Sequence, residues 1–276
     1  MRRIPSYLVT LVLVFALSSG SIAFSSASSP ARSNITPSKA IALLSNSNKE
    51  ALKLLNTKDF TLETYDSLLP NAGRRIYAVG KNGLTLKDEN LNTAERRVIT
   101  VGNTMYISIV DHEFLAMEKQ IISDLALEQS ANYAKIDPKL VDPTYSTLST
   151  IKLVRAQALD LWPDTNLTYI DKTDLLTLKT TKSKVNGKTS LTQVLDRRDN
   201  GLKGQVGYRV IYTIVDNVLV KIDEYGVTGE FSNRTTLSPK APVIEPPLAP
   251  YLDWIKVMQD KRYIFEEGFW LSNLEK

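Results

Sequence analysis

The chain has 276 residues, 43% of them hydrophobic and 23% charged, with one histidine and no cysteine. This is the composition of an ordinary folded protein, long enough for one large domain or two small ones. It excludes disulfides, thiolate metal sites, a cysteine nucleophile, a cysteine-linked lipid anchor and a histidine-rich metal site.

The first 27 residues carry the strongest signal. "MRRIPSYLVTLVLVFALSSGSIAFSSA" has a basic start, an apolar core from Leu8 to Leu17 and a run of small residues. That is the pattern of a signal peptide on the general secretory route. Two cleavage points fit, after Ala23 and after Ala27. The alternative is an uncleaved anchor, since Tyr7 to Phe24 is just long enough to span a bilayer. Without Arg2 and Arg3 the 34 basic residues become 32, against 30 acidic ones. So small an excess is not a nucleic-acid footprint. Export without cysteine points to a bacterial envelope or secreted protein.

Residues 28–37 read as a flexible leader. Pro37 suits a first helical turn, and Ser47-Asn48-Lys49-Glu50 reads as a capping box. Ile41, Leu44, Leu52 and Leu55 form an apolar side, and the polar break from Asn46 to Asn48 predicts two short helices. From Phe60 to Ile109 the period is two. Ile76–Val79 and Leu84–Leu86 form a hairpin around Lys81-Asn82-Gly83. "RRVITVGNTMYISI" forms another, turned at Gly102-Asn103 with glycine first. Asp111 suits an N-cap, and Phe114, Met117, Ile121 and Leu125 form a buried helical stripe. A second helix runs from Thr147 to Leu161, with Leu148, Ile151, Val154 and Ala158 inward. Strands return with Leu176 and Leu178, and Asn186-Gly187 is a type I′ turn. Val227 to Leu237 reads as a strand. "SPKAPVIEPPLAP" ends the sheet, because proline supplies no ladder donor. A helix over 251–258 and an aromatic tail to residue 276 follow. The order of elements implies α+β, a single domain over 38–250 with an antiparallel sheet and segregated helices.

The hairpin "RVIYTIVDNVLVKIDEYGV" turns at Asp216-Asn217, so strict alternation puts Ile211, Thr213, Val215, Val218, Val220 and Ile222 on one face. Ile214, Tyr212, Tyr208, Leu219 and Lys221 take the other. The first face is nearly all aliphatic and is predicted to look into the sheet's concavity towards the helices. The second carries tyrosines and a lysine, which suit a wetter surface.

Little suggests catalysis. His112, in "VDHEF", reads as the first turn of a helix behind the Asp111 cap, with no nucleophile motif beside it. Asp196-Arg197-Arg198-Asp199 could hold a phosphate through its guanidinium groups, but reads as a solvated loop. Lys172, Lys179, Lys182, Lys184 and Lys188 cluster around a hairpin tip. They could meet an anionic membrane surface, and read more simply as a solvated edge. No cofactor or metal is expected, and the chain is read as a non-enzyme.

The order of these elements, with "RRVITVGNTMYISI", "VIYTIVDNVLVKIDEYGVTGEF" and "APVIEPPLAP", resembles the bacterial envelope lipid carriers of the LppX/LprG type, relatives of the lipoprotein carrier LolA. The resemblance covers 38–250. It implies a curved antiparallel half-barrel with helices packed on its concave face, enclosing an apolar cavity for an acyl chain of a lipid, glycolipid or lipoprotein. On that basis the aliphatic face of Ile211, Thr213, Val215, Val218, Val220 and Ile222 would line the cavity. Burial of acyl chains contributes about 0.8 kcal/mol per methylene. The chain departs from that family in lacking an anchoring cysteine and in extending beyond Pro250. The alternative is a non-enzymatic envelope interaction protein with the same fold and a filled core.

Overall fold

The computed structural model describes residues 31–67, 73–90, 96–109, 116–127, 130–141, 147–163, 170–185, 188–199, 207–240 and 242–260. The predicted signal peptide, His112 with its neighbours 110–115, the Asn186-Gly187 turn and the tail beyond residue 260 lie outside them. The described elements are β1 (Ala31–Asn34), α1 (Pro37–Thr57), β2 (Phe60–Asp66), β3 (Gly73–Gly80), β4 (Gly83–Asn90), β5 (Arg96–Val101), β6 (Thr104–Ser108), α2 (Ala116–Asp124), β7 (Tyr133–Ile136), α3 (Pro138–Val141), α4 (Thr147–Leu161), β8 (Leu175–Val185), β9 (Lys188–Arg198), β10 (Arg209–Val215), β11 (Val218–Tyr225), β12 (Phe231–Ser238), β13 (Tyr251–Asp253) and α5 (Trp254–Met258).

The strands form one curved, unclosed sheet of 13 strands in the order β1-β8-β9-β10-β11-β12-β2-β3-β4-β5-β6-β7-β13. Every pairing is antiparallel except that of β13 with β7. The expected α+β half-barrel is therefore present. Two meanders build it, β2–β7 and β8–β12, and β12 joins them by pairing with β2.

Helix α1 lies along the concave face. Ala40, Leu44, Ala51 and Leu55 are fully buried there against Leu62, Leu195, Ile214, Leu219 and Ile222, with Val154, Ala158 and Trp162 of the α4 segment beside them. Complete burial of a leucine contributes about 1.5–3 kcal/mol, so this interface dominates the fold. Farther along the same face, Ile121 and Ile122 of α2 and Val257 and Met258 of α5 pack on Ala134 and Leu252. A smaller cluster covers the opposite, convex face, where Ile244 of the proline-rich exit meets Ala78, Ile99 and Tyr106. A Cβ on Gly80 would stand 2.6 Å from the Pro242 carbonyl oxygen, so the glycine is what lets this exit segment lie so close.

Several expectations need correction. The leader is not wholly flexible, because Ala31 to Asn34 pair with Thr180 to Thr177 of β8. Helix α1 is continuous across Asn46–Asn48. Its polar residues are satisfied within the fold: the buried Ser47 hydroxyl donates to the Leu44 carbonyl at 3.1 Å, and Trp162 Nε1 donates to Asn48 Oδ1 at 2.7 Å. Neither residue is needed as a cap. Leu125 and Leu148, placed inward by helical spacing, are exposed. The strand expected from Val227 begins at Phe231, and the helix expected from Tyr251 opens as β13.

Candidate functional site

The Asp216-Asn217 turn forms as its residue types require. Both residues have positive φ, 49° and 66°, and Val215 stands opposite Val218. The faces that follow from it are not the predicted ones. Val210, Tyr212, Ile214, Leu219 and Ile222 are buried and face α1, while Ile211, Thr213, Val215, Val218 and Val220 are half-buried. The two faces are exchanged up to Leu219, and a β-bulge then returns Ile222 to the concave side where it was expected. Ile214 pairs with Leu219 but Thr213 pairs with Lys221, so Val220 is an extra residue. Beyond it the alternation inverts, which turns Lys221 outward and brings Ile222 into the core. Tyr212, Ile214 and Leu219, expected on the wetter face, all lie in the main core. Tyr212 is only 7% exposed there.

Among the described residues, side chains of α1 and the α4 segment occupy the concave face beside Tyr212, Ile214, Leu219 and Ile222, where the predicted acyl cavity would lie. Among the described residues a small apolar recess of about 40 Å³ lies between Ile107, Ile109, Ala134, Ile136 and Trp254, room for roughly one water. A larger recess among the described residues is an open groove of about 630 Å³ at the start of β8. Asn34, Ile35, Thr36 and Pro37 line one side, and Lys172, Asp174, Leu175, Leu176, Thr177, Asp196 and Arg198 line the other.

Asp174, Asp196 and Arg198 of this groove are paired. Arg197 Nε donates to Asp174 Oδ2 at 2.7 Å, with the two side chains 13% and 1% exposed. Behind it Tyr212 and Tyr208 complete a polar cluster on the concave side. Burial, reinforced by Glu224, pushes the Tyr208 phenol well above its ordinary value. Burial also lowers the Arg197 pKa, but hydrogen bonding and charge from Asp174 outweigh it and leave the guanidinium more basic than usual. Across the sheet, Arg209 grips Asp196 through two bonds of 2.8 Å. Burial raises the Asp196 pKa, yet the bonds and charges of Arg209 and Arg198 prevail and hold it below the usual carboxylate range.

Asp196, Arg197 and Arg198 were read as part of a solvated loop; they instead close strand β9. Successive side chains on a strand point to opposite faces. Arg197 therefore turns to Asp174 and Arg198 to Asp196, and the two guanidinium groups cannot converge on one phosphate. Spacing alone could not reveal this groove, because Asn34–Pro37 and Lys172–Thr177 meet only through the pairing of β1 with β8.

Among the described residues no group of three or more His, Asp or Glu side chains could hold a metal ion. Among them, no helix is long and apolar enough to cross a membrane. Lys179, Lys182, Lys184 and Lys188 are all exposed on the β8–β9 hairpin.

No family model matches the chain, and no curated protein matches it. Among solved structures, a chain of the MucA/MucB complex of Pseudomonas aeruginosa is similar at 14% identity with a TM-score of 0.26, over 74% of this chain. A chain from the structure of MucB with MucA(peri) is similar at 12% identity and a TM-score of 0.25, over 76% of this chain. This chain spans 59% of the length of each.

Proposed function

We propose that this is an exported, non-enzymatic protein of a bacterial envelope that works by binding another macromolecule at its surface. The leader supports export, and the lack of cysteine in an exported chain supports a bacterial envelope. One observation carries the choice of function: α1 fills the concave face with fully buried Ala40, Leu44, Ala51 and Leu55. A lipid carrier with this architecture would need that space, or would have to move a helix whose burial stabilises the whole domain. Exposed sheet surface and the charged groove are then what the molecule offers a partner.

Mass spectrometry of the intact protein purified without detergent tests this. The expected result is no lipid at stoichiometric level. A lipid bound one to one would restore the carrier reading, with α1 as the element that yields. Export has its own check: N-terminal sequencing of the envelope fraction should find a new terminus near Phe24 or Ser28.

A further inference from the structure

Among the described residues, the edge of the sheet is incompletely covered at β8. That strand is 11 residues long, but β1 pairs only with Thr177, Leu178, Lys179 and Thr180. The Ile35 N–H donates to the Leu176 carbonyl on this side at 3.3 Å. In an antiparallel ladder main-chain groups alternate in direction, so Leu178 and Thr180 also face β1. Beyond them, Lys182 and Lys184 turn their N–H and C=O groups outward in the same way. Among the described residues no strand pairs with them there. The odd-numbered residues Thr181, Ser183 and Val185 serve the β9 ladder, opposite Thr192, Ser190 and Lys188.

The side chains define what could complete this edge. The exposed Lys182 and Lys184 lie on one face, two residues apart, and Lys179 and Lys188 add charge nearby. From Leu175 to Leu195 the hairpin contains four lysines and no carboxylate. A second copy of the chain would set lysine against lysine, which disfavours self-pairing. The residues preceding Ala31, from Ser26 to Pro30, have no carboxylate either. We infer that the outer edge of β8 at Lys182 and Lys184 accepts an extended acidic segment of a partner protein as an added strand, with carboxylates at alternate positions opposite the two lysines. Main-chain hydrogen bonds would bind the segment and the alternate carboxylates would select it. The inference rests on the proposed interaction role and names the surface that performs it.

The test uses the intact exported protein and a short synthetic peptide with glutamates alternating with threonines. A peptide with lysines in place of the glutamates and vesicles of phosphatidylglycerol serve as comparisons. The expected result is binding of the acidic peptide alone, weakening as salt rises. Lys182→Glu with Lys184→Glu should weaken it by about tenfold or more. Lys182→Pro removes only an outward N–H, a position where an edge strand tolerates proline. It should abolish peptide binding while leaving the thermal transition in place. Vesicle binding without peptide binding, or peptide binding indifferent to Lys182→Pro, would overturn the edge assignment. Stoichiometric co-purified lipid with no peptide bound would overturn the interaction reading itself. An absence of both would overturn only the edge.

Discussion

Asp174 keeps its carboxylate almost wholly out of water because Arg197 meets it at 2.7 Å. Removing one member of such a pair leaves the other buried and uncompensated, so Asp174→Ala should cost about 3–5 kcal/mol in urea unfolding. Joint replacement, Asp174→Leu with Arg197→Met, should recover much of that loss. Asp196 makes a different, pH-dependent contribution. Its folded pKa lies below the unfolded value of about 3.9. The stability it supplies is therefore complete above that value and is lost as pH falls through the folded pKa. Arg209→Met should flatten this acid limb, read as the urea midpoint against pH below about 4. At Gly102, φ is 57°, and the turn was legible because only glycine adopts that conformation at no steric cost. The roles of Asp174 and Asp196 were not legible, since each depends on an arginine whose direction is set by strand register.

At the scale of elements, turns and strand periods were readable and faces were not. Both faces of the β10–β11 hairpin carry Val, Ile or Leu, so hydrophobicity could not choose between them, and one bulged residue inverted the pattern after Val220. The correction has a measurable consequence. Leu219 is fully buried, and Leu219→Ala should cost about 2–5 kcal/mol. Val220→Trp, at the half-buried bulge, should shift stability far less than overpacking a core position, which costs about 1–3 kcal/mol. Thermal unfolding of the two variants checks both; a Val220→Trp protein as unstable as Leu219→Ala would return Val220 to the core. Short strands escaped for a different reason. β1, β7 and β13 have three or four residues each, too few to show a period, and they exist because a neighbouring strand offers them partners. The continuity of α1 was hidden likewise, because Asn48 is satisfied by Trp162 from a distant segment.

The whole molecule depends on contacts between residues far apart in the chain. β12 closes on β2, β1 on β8 and β13 on β7. Such non-local strand pairing places folding in the slow range of milliseconds to seconds. The proline-rich exit adds one more long connection, pinned by Ile244 over the convex face and by the Asn82 side-chain amide, which donates to the Ile244 carbonyl at 2.6 Å. Ile244→Ala should release this strap at a cost of about 2–5 kcal/mol. Limited proteolysis should then cut first between Ser238 and Pro250.

The first and last strands of the described chain occupy the two opposite rims of the sheet. Were the chain exported as proposed, with its N-terminus leading, that placement would set a timetable. β2 to β7 can zip together as they emerge. β1 arrives first yet waits for β8, and the outer edge of β2 waits for β12, with the apolar side of α1 lacking Leu195, Ile214, Leu219 and Ile222 in the meantime. The interval before the second meander is delivered is when the newborn chain is most exposed to aggregation and to proteases, and a holding chaperone at the channel exit would matter most then.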